Sequence, residues 1–185
     1  MGIMQRSVVA LVLLIAGLSG ASTAQPAFLL QEETAFTGCG IAMPAKSTIE
    51  DIVTEFQTAI KRRDREQFLS LFLDPNRTSW QAVNGDKVLE TKRKTDPGVL
   101  KAKTNPDATP ASFIETVSSR AAASEEDFDN IRISGDTDVA AVSLDYRFKL
   151  DGKVRNTGTE HWLLVRTEQG WRITSVNWSI GTYTP

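Results

Sequence analysis

Among side chains that commonly carry out chemistry, this 185-residue sequence holds one histidine, His161, and one cysteine, Cys39. A Ser-His-Asp or Cys-His arrangement would have to be assembled around His161, and a disulfide within one chain cannot form from Cys39 alone. A structural zinc needs about four Cys or His ligands and a catalytic one about three, so neither a metal site nor a cofactor is expected. Acids outnumber bases 23 to 21 and the sequence pI is near 5.5. A nucleic-acid partner asks for a strongly basic surface, so none is expected. What remains is acid or base chemistry at His161, or binding without catalysis.

The first residues read as an address rather than as part of a fold. Arg6 precedes an apolar stretch from Val8 to Ala16, followed by small residues up to Ala24 and then Gln25-Pro26. This is the order of a secretory signal with cleavage near Ala24. The apolar run falls well short of the roughly 20 residues that span a bilayer, so no stable membrane anchor is expected. The protein is expected to be exported, to the periplasm or the extracellular space. The sequence divides into a signal peptide over 1–24, a flexible linker over 25–46 that carries Cys39, and a folded domain over 47–185.

Within that domain, Ser47-Thr48-Ile49-Glu50 matches a capping box. Ile49, Ile52, Val53, Phe56, Ala59 and Ile60 then recur at helical spacing. Phe68, Leu71 and Phe72 suggest a short second helix ended by Asp74-Pro75, and a strand carrying Trp80 is expected near 77–83. Residues 84–109 show little periodicity and read as a long loop, a lid or a solvated connection. Thr109-Pro110 opens a third helix with its cap and first-turn residues in place. The remainder reads as four strands, Phe128–Ile133, Val139–Leu150, Lys153–Thr167 and Trp171–Ile180, with Asp151-Gly152 forming a tight hairpin turn. Helices first and an antiparallel meander last predict an α+β domain, about three helices packed on one face of a curved sheet.

The hairpins assign side chains to faces. Pairing Leu150 with Lys153 places Val142 opposite His161, and residues directly opposite share a face. The helix-covered face then carries Leu144, Tyr146, Phe148 and His161, and a three-residue turn at 168–170 adds Ile173, Ser175 and Asn177. An apolar wall with isolated Tyr, His and Asn is what a small-molecule pocket looks like. Its expected ligand-contacting residues are Phe56, Phe72, Trp80, Tyr146, His161 and Asn177, with His161 the one catalytic candidate. The opposite face is expected to hold Trp162, Leu164, Val176 and Trp178, an apolar patch suited to a homodimer. A bulge near Gly158 would exchange the faces, turning His161 outward and Glu160 and Trp162 inward.

The order of elements, together with Leu71-Phe72-Leu73-Asp74-Pro75, Leu150-Asp151-Gly152, Leu164-Val165-Arg166 and Gly170-Trp171-Arg172-Ile173, resembles the nuclear transport factor 2-like superfamily over roughly residues 47–182. Its exported SnoaL-like and lumazine-binding-like members are the most similar. The resemblance implies a cone-shaped, cystatin-like fold with a pocket between helices and concave sheet, often dimeric. Ketosteroid isomerases of this fold use a tyrosine, an aspartate base and a late-strand acid. Carried onto this sequence, those positions fall at Phe56, near Trp80 and at or beside Trp162, where no such group stands. The expected function is therefore a non-catalytic exported domain whose cone binds a small apolar or aromatic molecule or a partner protein. The alternatives are an isomerase, cyclase or dehydratase relying on His161, and a purely structural dimerisation domain.

Overall fold

The computed structural model describes residues 48–182. The first helix, α1 (Ile49–Arg62), is capped by Thr48, one residue later than the sequence pattern suggested. The Thr48 hydroxyl accepts from the Asp51 backbone N–H at 3.1 Å, and Asp51 accepts from the Thr48 N–H at 2.8 Å. This reciprocal pairing satisfies two donors that have no partner inside the helix. All six apolar positions of the expected stripe are buried. At the far end Arg63 adopts a left-handed backbone and donates through Nη2 to the carbonyls of Ala121 and Ala122, each at 3.0 Å. That contact ties the corner after α1 to the chain entering the sheet.

The short helix α2 (Arg65–Ser70) starts from Asp64, whose carboxylate accepts from the Gln67 N–H. β1 (Ser79–Asn84) follows. The segment read as a loop contains a further helix, α3 (Asp86–Arg93). Its return path is also held: Asn84 N–H donates to the Lys101 carbonyl at 2.8 Å, and Val83 and Ala102 form an antiparallel bridge. This segment covers the open edge of β1, which would otherwise present unpaired backbone groups. Polar side chains hid the helix from a reading based on apolar periodicity, since Leu89 is its only buried residue. The helix α4 (Pro110–Ser119) begins at Thr109 with Pro110 in its first turn, and buries Ile114 and Val117.

The sheet is completed by β2 (Ser124–Gly135), β3 (Val139–Leu150), β4 (Lys153–Thr167) and β5 (Gly170–Ile180). Its order is β1-β5-β4-β3-β2, antiparallel except for the parallel β1–β5 pair, and the fold is α+β with a curved sheet. Asp151 and Gly152 both have positive φ, as the tight turn requires, and Leu150 pairs with Lys153 as expected.

The register beyond that turn differs from the expectation. Phe148 pairs with Asn156 and Lys149 with Val154, so Arg155 is an extra residue on β4. From Asn156 onward every β4 side chain is displaced by one position, and a one-residue displacement reverses the faces. A second extra residue, Thr174, sits in β5, where Leu164 pairs with Ile173 and Leu163 with Ser175. The turn before it has two residues, since Thr167 pairs with Gly170. Glu160, Trp162, Leu164, Ile173, Val176 and Trp178 therefore face the helices. Trp162, Leu164 and Val176 are at most 1% exposed, and Trp178 packs half-buried against the core. The apolar patch expected on the outer face from these four residues is thus part of the interior. The outer face carries Val139 and Leu163 instead, both about half exposed.

Gly158 is not the site of the extra residue. A Cβ there would lie 2.0 Å from the Ser179 carbonyl oxygen, so the glycine permits a close crossing of β4 and β5. The Tyr146 hydroxyl donates to that same carbonyl at 2.9 Å, and the Thr159 N–H donates to the Ser179 hydroxyl at 3.1 Å.

Candidate functional site

Where the inner sheet face reaches this crossing, helices and strands no longer close against each other and enclose a cavity of about 250 Å³. Phe56 from α1, Trp80 from β1, Phe113 from α4, Tyr146 and Phe148 from β3 and Trp178 from β5 form its aromatic wall. The rings brace one another: centroids lie 5.1 Å apart for Trp80 and Trp178, 5.3 Å for Trp80 and Phe113, and 6.5 Å for Phe56 and Trp80. Such contacts fix the wall before a ligand arrives. The volume lies just below the ~300–1,000 Å³ common for drug-sized ligands, so it suits compounds of one or two rings. A wider hollow of about 460 Å³ beside Ser70, Leu73 and Gln169 is open and contains no buried ionisable group.

Two carboxyl groups face this aromatic cavity. Glu126 on β2 pairs across the ladder with Phe148, and Glu160 on β4 pairs with Trp178. They are 8% and 5% exposed. The Trp162 indole N–H donates to Glu160 Oε2 at 2.7 Å, whereas the Glu126 carboxyl has no hydrogen-bond or ion-pair partner among the described residues. Desolvation disfavours the charged form of a buried acid. It raises Glu160 to about 7, against the opposing effect of the Trp162 donor. Burial, then the charges of Glu160 and Asp127, push Glu126 well above the usual carboxylate range. Burial and the two acids also raise Tyr146, which stays a neutral phenol. Arg120, just past α4, is the only base lining the cavity and forms no ion pair with either acid among the described residues.

No protein-family model and no curated protein sequence matches the chain. Solved structures do. A candidate dehydratase of the nuclear transport factor 2-like family from Streptomyces avermitilis superposes with a TM-score of 0.52 at 17% identity, over 73% of this chain and 94% of that one. A nuclear transport factor 2-like superfamily protein from Salmonella enterica gives 0.51 at 16% identity, over 74% and 91%. A candidate scytalone dehydratase from Novosphingobium aromaticivorans gives 0.51 at 14% identity, over 74% and 86%. The chain has a nuclear transport factor 2-like fold.

Within this nuclear transport factor 2-like cone, Phe56, Trp80 and Tyr146 line the cavity. Phe72 is buried one layer away, its ring 6.3 Å from that of Phe56. His161 and Asn177 are exposed on the opposite face, and they pair with each other across β4 and β5. The bulges at Arg155 and Thr174 moved them there, so the single histidine takes no part in the cavity. The same shift delivered Glu160. On the strand where the family resemblance looked for a late acid at Trp162, an acid does face inward, one inward position earlier. Glu126 lies ahead of the strand start expected at Phe128, in a β2 that begins at Ser124. Continuing the alternation back from Phe128 through Glu126 to Ser124 would have found it, since the latter two are buried.

Proposed function

We propose that the cone cavity is the functional site of this domain, and that it binds a small, largely aromatic or apolar molecule through its ring-lined wall and the Glu126–Glu160 pair. The observation that carries this reading is two glutamates more than nine-tenths buried at one aromatic cavity, neither in an ion pair among the described residues. A buried acid without a partner destabilises a fold, so its presence at a cavity fits a role in recognition. Trp80 and Trp178 in the wall make ligand entry visible. The test is intrinsic fluorescence together with thermal shift against a panel of one- and two-ring compounds, in the unaltered protein and in Glu126→Gln/Glu160→Gln. Compounds that quench and stabilise the former and act less on the latter support the proposal. No response from the whole panel refutes it.

A second reading, acid/base catalysis, is favoured by one observation: Glu160 is held near neutral pH beside a second acid, where a general acid or base works best. In that reading Glu160 replaces His161 as the proton carrier. Any turnover detected should be lost in Glu160→Gln and unaffected in His161→Ala.

The expectations of export and self-association carry forward as proposals. The signal peptide, linker and Cys39 lie outside the described residues, and sequencing the N-terminus of the protein from the culture or periplasm tests cleavage near Ala24. The homodimer is proposed on the outer-face residues Val139 and Leu163, in place of the four residues that face inward. Leu163→Glu should then halve the mass measured by sedimentation.

A further inference from the structure

The nature of the cavity wall and of its acids narrows the class of ligand, if the binding reading above holds. An aromatic ring presents a negative face to its surroundings and attracts a cation lying within about 6 Å of its centre. Trp80, Phe113, Phe148 and Trp178 offer such rings around one small volume. Within the same volume lie Glu126, 8% exposed and without a partner among the described residues, and Glu160, whose one hydrogen bond comes from Trp162. The rings and the two carboxyl groups therefore favour positive charge. Arg120, the base that lines the cavity, forms no ion pair with either carboxyl group among the described residues.

A metal ion is a poor occupant. Calcium takes about six to eight oxygen ligands and magnesium a near-octahedral set, yet among the described residues no third His, Cys, Asp or Glu joins the two glutamates. The rest of the lining is mostly hydrocarbon and ring. An organic cation suits both parts at once, its charged head between the acids and its body against the rings.

We propose that the cone cavity takes a protonated organic amine of one or two rings, its ammonium group held by Glu126 and Glu160 and its body stacked among Trp80, Phe113 and Trp178. In the empty cavity burial disfavours ionisation of these carboxyl groups. An entering ammonium ion favours the carboxylate, and the proton displaced from the acid that still holds one leaves to solvent. The charged and titratable groups around the pair are Tyr146 from β3, which stays a neutral phenol, Arg120 at the end of α4, and Asp127, next to Glu126 but turned to the outer face, where it pairs with Arg147 and Lys149. From α1 the neutral Gln57 donates its amide N–H to the Glu126 backbone carbonyl at 2.9 Å.

The test is calorimetry at pH 7.5 with three compounds of one skeleton: 2-phenylethylamine, 2-phenylethanol and 3-phenylpropionate. In the unaltered protein the amine is expected to bind at least about tenfold more tightly than the alcohol, with the propionate weakest. Its heat should change between buffers of different ionisation enthalpy, revealing proton release. The amine-to-alcohol ratio should fall close to one in Glu126→Gln/Glu160→Gln. If the alcohol binds and the amine binds no better, the cation preference is wrong while the cavity remains a binding site. If none of the three produces heat or changes the fluorescence of Trp80 and Trp178, the binding reading fails and this inference fails with it. The matched compounds decide the question in the unaltered protein even if the double variant does not fold.

Discussion

The inner face of the sheet uses the same strands at both ends, but the two ends do opposite things with them. At the closed end Val142, Trp162 and Val176 stand side by side across three strands, and Leu164 and Ile173 continue the layer, all at most 1% exposed. At the open end Phe148, Tyr146, Glu160 and Trp178 surround space, and two acids sit among the rings. One inward position separates Trp162 from Glu160, and the indole N–H bond between them marks the boundary. The dry end supplies cohesion, which lets the other end carry two desolvated acids whose burial opposes folding. Stability and recognition are thus divided along the strands of one sheet.

The largest break in this division should come from Trp162→Ala, which empties the closed end. Removing a fully buried Trp costs about 3–5 kcal/mol, so the variant should unfold at much lower denaturant concentration or fail to fold, as circular dichroism would show. At the open end the sign reverses. The folded pKa of Glu160 is raised from 4.5 to about 7, so below pH 4.5 the group is protonated in both states and contributes nothing. As pH rises towards and past 7 the unfolded state gains by ionising first. Stability should fall over that window, by roughly 3 kcal/mol at most for this group. Glu160→Gln should flatten the decline and be more stable than the unaltered protein at pH 8, measured by urea unfolding across pH.

The crossing between the ends is sharpened by Gly158→Ala. With the Ser179 oxygen 2.0 Å from the new Cβ, the strands must separate, at a cost of about 1–3 kcal/mol. The Tyr146 hydrogen bond to that oxygen should weaken with it, and ligand responses should fall together with stability. The smallest effect belongs to the outer face. His161→Ala should stay within about 0.5 kcal/mol of the parent in unfolding and leave responses at the cavity unaltered.

Elements with strong periodicity could be read from the sequence almost to the residue. The α1 stripe is buried at all six positions, and β3 and β4 have the bounds expected for them. Side-chain direction beyond the first hairpin was not legible, because nothing in Val154-Arg155-Asn156 or Ile173-Thr174-Ser175 marks a bulge. Neither position is a glycine, and the cue that was present, Gly158, serves a close strand crossing instead. Two unmarked insertions therefore exchanged His161 and Asn177 for Glu160 and Trp178 at the site. The sequence showed Glu160 inward only as the consequence of a shifted register. The covered edge of β1 was hidden for a different reason: α3 buries one residue, and the return of Lys101 past Asn84 depends on backbone hydrogen bonds that side-chain patterns do not encode.

The account rests on two acids whose ionisation is disfavoured by burial in an aromatic cavity. A carbon-13 NMR titration of the glutamate side-chain carboxyls in the unaltered protein, with Glu160→Gln and Glu126→Gln for assignment, measures this directly. The structure predicts one glutamate titrating near pH 7 that disappears in Glu160→Gln, and a second shifted well above the ordinary range that disappears in Glu126→Gln. If every glutamate titrates near the ordinary 4.5, the acids are hydrated and the cavity is not the site described.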